Sequence, residues 1–139
     1  MKRVLVFGTF DGIHAGHRFL FQKALEFGDK LFVVVALDET VRRVKGRMPC
    51  WSQTERLDLV QKEPCVFKAL LGYPGDKYRV IEEIQPHVIC LGYDQKTFVD
   101  GLPEALEIRN ISVRIVRLDA FYPEQFKSSI LFAKRKSVA

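Results

Sequence analysis

The stretch KRVLVFGTFDGIHAGH, residues 2–17, decides the fold of this chain. Lys2–Phe7 is a short run rich in β-branched and aromatic residues that stops at Gly8, which is typical of a buried strand. From His17 to Phe27, apolar residues recur among polar ones, which predicts a helix, and Gly28 follows as its C-terminal cap. A strand, a glycine-rich turn and a helix thus open the chain, as in the first unit of an α/β sheet.

Strands and helices continue to alternate beyond this unit. The segment LFVVVAL at 31–37 is nearly all apolar, as expected of a central parallel strand covered on both faces. Further strands are predicted at 66–70, 88–91 and 113–118, and helices at 38–44, 53–61, 76–84, 103–110 and 126–136. The alternation implies right-handed crossovers and predicts a single doubly wound α/β domain over residues 1–139, with a parallel, five-stranded, Rossmann-like sheet.

Local signals mark some of the element bounds. Ser52 and Glu55 form a capping box that opens the helix at 53–61. Lys45, Gly46 and Arg47 read as a basic loop after the preceding helix. The loop would therefore carry two positive charges into the connection between two helices.

Composition limits the classes of protein to consider. Apolar residues make up 47% and charged residues 28% of the chain, as in a globular domain. The first apolar run stops at Gly8, far short of the roughly 20 residues that cross a bilayer, so we expect a cytoplasmic protein with no membrane partner. Cys50, Cys65 and Cys90 lack paired spacing, so free thiols are expected and neither a disulfide framework nor a metal site is predicted. The net charge of +5 is spread along the chain and predicts no nucleic-acid partner.

The pattern also locates a ligand site before any family is considered. In doubly wound sheets, ligands bind outside the carboxyl ends of the strands, where the strand order reverses. Gly8–Asp11 and Gly92–Asp94 each follow a predicted strand and belong on that edge.

Two histidines lie at the predicted start of the first helix. His14 and His17 are three residues apart, so their imidazoles share one face of a helix. A helix N-terminus attracts anions through its free N–H groups and its dipole. Two ring donors there, among Gly8, Gly12 and Gly16, which let backbone approach a ligand, predict a pocket for phosphate oxygens.

The whole pattern GTFDGIHAGH resembles the HxGH motif of the cytidylyltransferase-like nucleotidyltransferases, a branch of the HIGH superfamily. The likeness extends along nearly the whole chain. The family's lysine-bearing segment resembles LDETVRRVKGR, and its arginine-bearing helix resembles TERLDLV. Its LGxDQ-type loop is similar to LGYDQKTF, and its late serine-bearing loop is similar to FKSSIL. Within the family, ALDETVRRVKGR and LGYDQKTF look most like the archaeal-type FAD synthases, which are FMN adenylyltransferases.

The resemblance implies in-line attack of an acceptor phosphate on the α-phosphorus of a nucleoside triphosphate, with loss of pyrophosphate. Such chemistry asks for positioning and charge stabilisation. His14, His17 and Lys45 would be catalytic, with Lys45 bridging the acceptor and α-phosphates. The nucleotide would be bound by Gly8, Thr9, Phe10, Gly16, Gly92, Tyr93, Asp94, Ser128 and Ser129, and the acceptor by Asp11, Arg47 and Arg56.

The implied cofactor is Mg²⁺, held mainly by phosphate oxygens and water, and the substrates are small molecules. Relatives of this kind are commonly homodimers, which the resemblance implies here. One segment departs from the family: AFYPEQFK at 120–127 holds neither the arginine of the cytidylyltransferases nor a cysteine or histidine, although Lys127 supplies a charge there.

Three functions follow from these observations. The first is ATP plus FMN giving FAD. The second is a CTP-dependent cytidylyltransferase acting on glycerol 3-phosphate or another polyol or sugar phosphate. The third, of another class, is a non-catalytic nucleotide-binding domain. The HxGH motif does not separate the first two, because it contacts phosphates and not bases.

Overall fold

The structure is a computed structural model that describes residues 1–76, 78–92 and 101–118. Its five strands are β1 (Arg3–Gly8), β2 (Lys30–Val35), β3 (Lys68–Leu71), β4 (Val88–Leu91) and β5 (Arg114–Arg117). Its helices are α1 (Ala15–Ala24), α2 (Asp38–Lys45), α3 (Gln53–Gln61), α4 (Arg79–Ile84) and α5 (Leu102–Ile108). The strands form one sheet in the order β3-β2-β1-β4-β5, and every neighbouring pair is parallel. The predicted five-stranded parallel α/β fold is confirmed.

The central strand β1 is covered on both faces. Val4 and Val6 belong to a core cluster that includes Phe21 of α1 and Val60 of α3. Leu5 and Phe7, which alternate with them, belong to a second cluster, which also contains Val80 and Ile81 of α4 and Leu102 and Leu106 of α5. Each such buried side chain stabilises the fold by about 1.5–3 kcal/mol relative to exposure. The hydrophobic run in β1 is therefore what places helices on both sides of the sheet.

Helix α1 begins and ends earlier than the sequence predicts. It opens at Ala15, because the His14 ring caps it, and a 3₁₀ turn over Leu25–Phe27 follows its last residue, Ala24. Gly28 is not the left-handed helix cap that was predicted, since its backbone is extended. A Cβ at Gly28 would lie 2.5 Å from Val4 Cγ2 and 2.7 Å from the Lys2 carbonyl oxygen. Glycine is needed there because the chain passes against β1.

The two helices beside the site follow their local signals. Ser52 Oγ accepts the Glu55 amide at 3.1 Å and Glu55 Oε1 accepts the Ser52 amide at 2.9 Å, so the predicted capping box of α3 is confirmed. Helix α2 runs one residue further than predicted and includes Lys45. Gly46 ends it at a φ of 80°, a left-handed conformation that favours glycine, and donates its amide to the Arg42 carbonyl at 2.8 Å.

Strand β4 has the predicted bounds, 88–91, whereas the other later elements are shorter than predicted. Strand β3 begins at Lys68. Helix α4 begins at Arg79, because the Asp76 carboxylate accepts the Tyr78 amide just before the helix. The predicted helix at 126–136 lies outside the described residues. Among the described residues, no helix is long and apolar enough to cross a membrane.

Candidate nucleotide site

The candidate site lies where the strand order reverses, between β1 and β4. The chain leaves β1 towards β2 on one side, and β4 pairs with β1 on the other. The turn after β1 and Gly92 after β4 both lie at the carboxyl ends of these strands, as predicted. A cavity of about 640 Å³ lies at the opposite edge, lined by residues that precede β4 and β5 such as His87 and Ser112, and it is remote from this turn.

The two motif histidines form a stacked pair at the start of α1. Their ring centroids lie 3.8 Å apart with an angle of 25° between the planes. His14 Nδ1 accepts the Gly16 amide at 3.0 Å, and His17 Nδ1 accepts the His14 amide at 3.2 Å. Because both Nδ1 atoms are acceptors, each neutral ring carries its hydrogen on Nε2. The pair therefore presents two N–H donors at the helix start, where the amides of His14, Gly16, His17 and Arg18 already have partners within the turn.

Both histidines are held neutral at physiological pH. The pKa of His17 is lowered to about 4, mainly by burial and also by the charges of His14, Lys45 and Arg18. Burial and the charge of Arg18 also lower the pKa of His14. Each neutral imidazole can donate a hydrogen bond to a phosphate oxygen. Two charged rings would instead compete as cations for the same phosphate.

The turn before the histidines is strained and packed. Phe10 has a φ of 53°, which is uncommon for a bulky residue. Its ring is buried, meets the His17 ring edge-on at a centroid distance of 5.2 Å, and packs on Phe21 at 5.5 Å. A Cβ on Gly8 would lie 2.6 Å from the Phe10 ring, so this glycine is needed to make room for that side chain, a reason that the sequence did not show. Gly12 adopts a φ of 98°, as its glycine identity predicts.

Arg56 is completely buried, and this corrects its predicted contact with the acceptor. Its guanidinium donates to the carbonyl oxygens of Thr9 (2.8 Å), Ala36 (2.8 Å) and Trp51 (3.0 Å), and to Asp38 Oδ1 (2.7 Å). With no exposed surface it cannot touch a ligand. Instead it joins the ends of β1 and β2 to the starts of α2 and α3.

Asp11 ties the turn after β1 to the loop between α2 and α3. Its two carboxylate oxygens accept the backbone amides of Cys50 and Trp51, each at 2.8 Å. Burial raises the pKa of Asp11, but these two hydrogen bonds and the charge of Arg56 outweigh it and hold the pKa below its usual range. Both oxygens are engaged within the protein, whereas the sequence suggested contact with the acceptor.

The predicted cations lie on this same side of the molecule. Lys45 ends α2 with an exposed side chain, and its charge reaches His17 strongly enough to lower that pKa. Arg47 follows Gly46 and is also exposed. Arg42, in contrast, is paired with Glu39 on the surface of α2.

The remaining predicted residues divide into two groups. Gly16 lies in the first turn of α1 and gives its amide to His14, and the Gly92 carbonyl accepts a hydrogen bond from Arg117 Nη1 at 2.6 Å. Five residues with predicted roles lie outside the described residues: Tyr93, Asp94, Lys127, Ser128 and Ser129.

Sequence reasoning missed three residues around this site. Asp38, the partner of Arg56, had no signal, because an acidic residue in the first turn of a helix is ordinary. Met48 and Trp51 lie in the loop tied to Asp11 and expose 53% and 46% of their surface. The only tryptophan of the chain, between two predicted helices and near the basic loop, was a usable signal.

The described residues contain no group of three or more side chains suited to hold a metal ion. A divalent ion of the kind used in phosphoryl-type transfer keeps much of its coordination in water and substrate phosphates. The described residues are therefore consistent with a divalent ion that arrives bound to the triphosphate and takes most of its ligands from phosphate and water.

A glycine-rich turn from a parallel strand into a helix, with paired neutral imidazoles at the helix start, is typical of α/β domains that bind phosphate groups. Residues 5–135 match the family model described as cytidylyltransferase-like. A protein from Aciduliprofundum boonei named FAD synthase is 39% identical over 121 residues, which cover 87% of this chain and 80% of that protein. A protein of the same name from Thermoplasma volcanium is 37% identical over 135 residues, or 97% of this chain and 94% of that protein.

The fold comparison agrees with the sequence comparison. A crystal structure from Thermoplasma volcanium, described as a lipopolysaccharide core biosynthesis protein, aligns with a TM-score of 0.81 at 37% identity. The alignment covers 87% of this chain and 98% of that one. The chain belongs to the cytidylyltransferase-like family and is a nucleotidyltransferase.

Proposed function

We propose that this protein is an FMN adenylyltransferase, which joins ATP and FMN to give FAD and pyrophosphate. The observation that carries the proposal is the stacked histidine pair, whose Nδ1 atoms accept backbone amides and whose Nε2–H groups remain for phosphate oxygens. The FAD synthases of Aciduliprofundum boonei and Thermoplasma volcanium, 39% and 37% identical, support FMN as the acceptor.

In the proposed reaction, an oxygen of the FMN phosphate attacks the α-phosphorus of ATP. A new P–O bond forms as the bond from the α-phosphorus to the α,β-bridging oxygen breaks, and the electron pair leaves with pyrophosphate. His14 and His17 donate to oxygens on which charge develops, and such a donor is worth about 10²–10³ in rate. Lys45 lies between the two reacting phosphates, with backbone amides near Thr9 and Phe10 on the same oxygens.

The other site residues have supporting roles in this proposal. Gly16 and Gly92 border the nucleotide, Tyr93 and Asp94 contact its base or ribose, and the hydroxyls of Ser128 and Ser129 reach its outer phosphates. Arg47 binds the acceptor phosphate. Gly8 and Asp11 act through packing and the tie to the loop at 50–51, as their contacts support.

We further propose Mg²⁺ as the divalent ion, because ATP phosphates and water provide its oxygen ligands. Residues 1–139 would act as one cytoplasmic domain that assembles as a homodimer. Gel filtration with light scattering tests the dimer: a single species at the mass of one chain contradicts it.

Pyrophosphate release tests the proposed reaction. With Mg²⁺ present, ATP and CTP are each combined with FMN, glycerol 3-phosphate and several sugar phosphates. We expect release only with ATP and FMN, and FAD as the product by mass spectrometry. Release with CTP and a polyol phosphate would replace the substrates while leaving the site roles standing. No release in any combination, with nucleotide still bound, would favour a non-catalytic binding domain.

A further inference from the structure

The loop between α2 and α3 presents a fixed tryptophan to solvent on the side of the molecule that carries the histidine pair. We propose that Trp51, assisted by Met48, is the residue that selects the acceptor, by stacking against a flat aromatic ring system such as the isoalloxazine of FMN. The inference rests on the proposed function. It adds the surface that recognises the ring system of the acceptor, at the end distant from the phosphate.

The backbone of Trp51 is held on both sides. Its amide donates to Asp11 Oδ1 at 2.8 Å, and its carbonyl accepts from Arg56 Nε at 3.0 Å. The preceding amide, of Cys50, also donates to Asp11, and Ser52 caps α3 directly afterwards. Asp11 lies three residues before His14, so the tie places Trp51 beside the phosphate-binding turn.

The side chain, in contrast, is free of the core. Trp51 exposes 46% of its surface, and Val44 and Met48 in the same segment expose 48% and 53%. Three large apolar side chains within eight residues thus face solvent, whereas the neighbouring Arg56 is fully buried. A rigid backbone with an exposed indole suits stacking, because little conformational freedom is lost when a ring binds.

The order of charges and apolar groups matches an acceptor with a phosphate at one end and a ring at the other. Lys45 and Arg47 precede Met48, and Trp51 follows it. When the FMN phosphate lies at the two cations, next to the α-phosphate, the ribityl chain carries the ring away from them towards the apolar side chains. Glycerol 3-phosphate has no group that would cover this surface.

The test compares Trp51→Ala and Trp51→Phe with Phe67→Ala, an equally exposed aromatic next to β3 that serves as the control. We expect Trp51→Ala to raise the KM for FMN about tenfold, the effect of losing one stacking partner, with the KM for ATP unchanged. Trp51→Phe should restore most of the affinity, and Phe67→Ala should leave both constants unchanged. Thermal unfolding of each variant verifies that it folds.

A direct titration gives a second readout. Because Trp51 is the only tryptophan, its emission reports this position alone, and FMN should quench it in the wild type without ATP present. Flavin fluorescence measured with Trp51→Ala should then show weaker FMN binding. Met48→Ala should weaken binding less than Trp51→Ala does.

The outcomes separate this inference from the proposed function. Turnover of ATP with FMN at the same KM in the wild type and Trp51→Ala would overturn the stacking role and leave the function intact. Quenching and Trp51-dependent FMN binding without turnover would support the stacking role and contradict the reaction. No FMN binding in the wild type, or turnover only with CTP and a polyol phosphate, would overturn both.

Discussion

In the proposed function, the two histidines at the start of α1 use different ring nitrogens for folding and for ligand binding. In each ring, Nδ1 accepts a backbone amide and thereby fixes the tautomer, and we propose that Nε2–H binds phosphate. The two roles can be separated by substitution, because Asn and Gln place an amide near the Nδ1 and Nε2 positions respectively.

His17→Asn keeps an acceptor for the His14 amide but removes the Nε2 donor. We expect kcat to fall by about 10²–10³, with the free energy of unfolding lowered by less than about 1 kcal/mol. His17→Gln should retain more activity than His17→Asn and be the less stable of the two. Steady-state kinetics and urea unfolding of both variants measure this, and equal activity in the two would contradict a donor role for Nε2.

The lowered pKa of His17 makes stability depend on pH. The folded state binds a proton at His17 only near pH 4, whereas the unfolded chain binds it near 6.5. Between these values the unfolded state holds more protons, so the free energy of unfolding decreases as pH falls from about 6.5 towards 4 and has no contribution from this group above that window. We expect a loss of about 1–2 kcal/mol between pH 7 and pH 5, discounted for partial exposure.

Urea unfolding at pH 7 and pH 5 tests this dependence in the wild type and in His17→Asn. Groups distant from His17 titrate alike in both proteins and cancel in the comparison, whereas the stacked His14 is coupled to His17 and contributes to the measured difference. The variant should lose less stability on acidification, and parallel losses in the two proteins would exclude His17 as the cause.

The histidine pair was predictable from the sequence because a three-residue spacing brings two side chains together at a helix start, where His14 is the N-cap and His17 the third residue of the helix. The burial of Arg56 was not, since an arginine in an amphipathic helix usually lies towards solvent. Its position four residues before the buried Val60 was the one local sign that it lies on the inner face of α3. The carbonyl groups that hold it come from β1, β2 and the loop before α3, and only the folded chain brings them together.

At the scale of elements, Arg56 acts as a cross-link between two strand ends and two helix starts. Replacing it with methionine leaves three carbonyl groups and the Asp38 carboxylate without their donor, which has no exposed surface of its own. We expect Arg56→Met to lower the free energy of unfolding by about 3–5 kcal/mol, measured by urea denaturation.

The matched control is Arg42→Met, which removes an exposed pair with Glu39 on α2. Such surface pairs contribute less than about 1 kcal/mol, so the two arginines should differ severalfold in their effect. Similar losses for both would mean that the network around Arg56 does not stabilise the fold.

Element bounds were predicted best where a signal is local. The capping box of α3 involves neighbours in sequence and was found, with the helix at the predicted residues. Gly28 was assigned the wrong role, because its identity is set by Val4 and the Lys2 carbonyl, more than twenty residues away in sequence.

At the scale of the whole molecule, the alternation of strands and helices was sufficient to predict the parallel sheet, and with it the edge at which we propose that ligand binds. The order β3-β2-β1-β4-β5 brings the turn after β1 and the end of β4 together. The site is thus formed only in the folded state, and a ligand that binds there stabilises the fold by mass action.

ATP with Mg²⁺ should therefore raise the melting temperature. At a concentration 100 times its Kd, the gain is about 2.7 kcal/mol, which corresponds to several degrees for a domain of this size. Differential scanning fluorimetry with increasing ATP measures it. His17→Asn should show a smaller shift, and an unchanged wild-type melting temperature across the series would contradict binding to the folded state.

The loop held by Asp11 also contains a cysteine that can be labelled selectively. Cys50 is exposed, whereas Cys90 is buried with a pKa raised to about 11, and burial raises the pKa of the half-buried Cys65. A maleimide dye at neutral pH should attach first at Cys50, next to Trp51, without any engineered residue. Because the Cys50 amide is hydrogen-bonded to Asp11 in the turn after β1, a label there would lie close to that turn, and its emission should change when substrate binds.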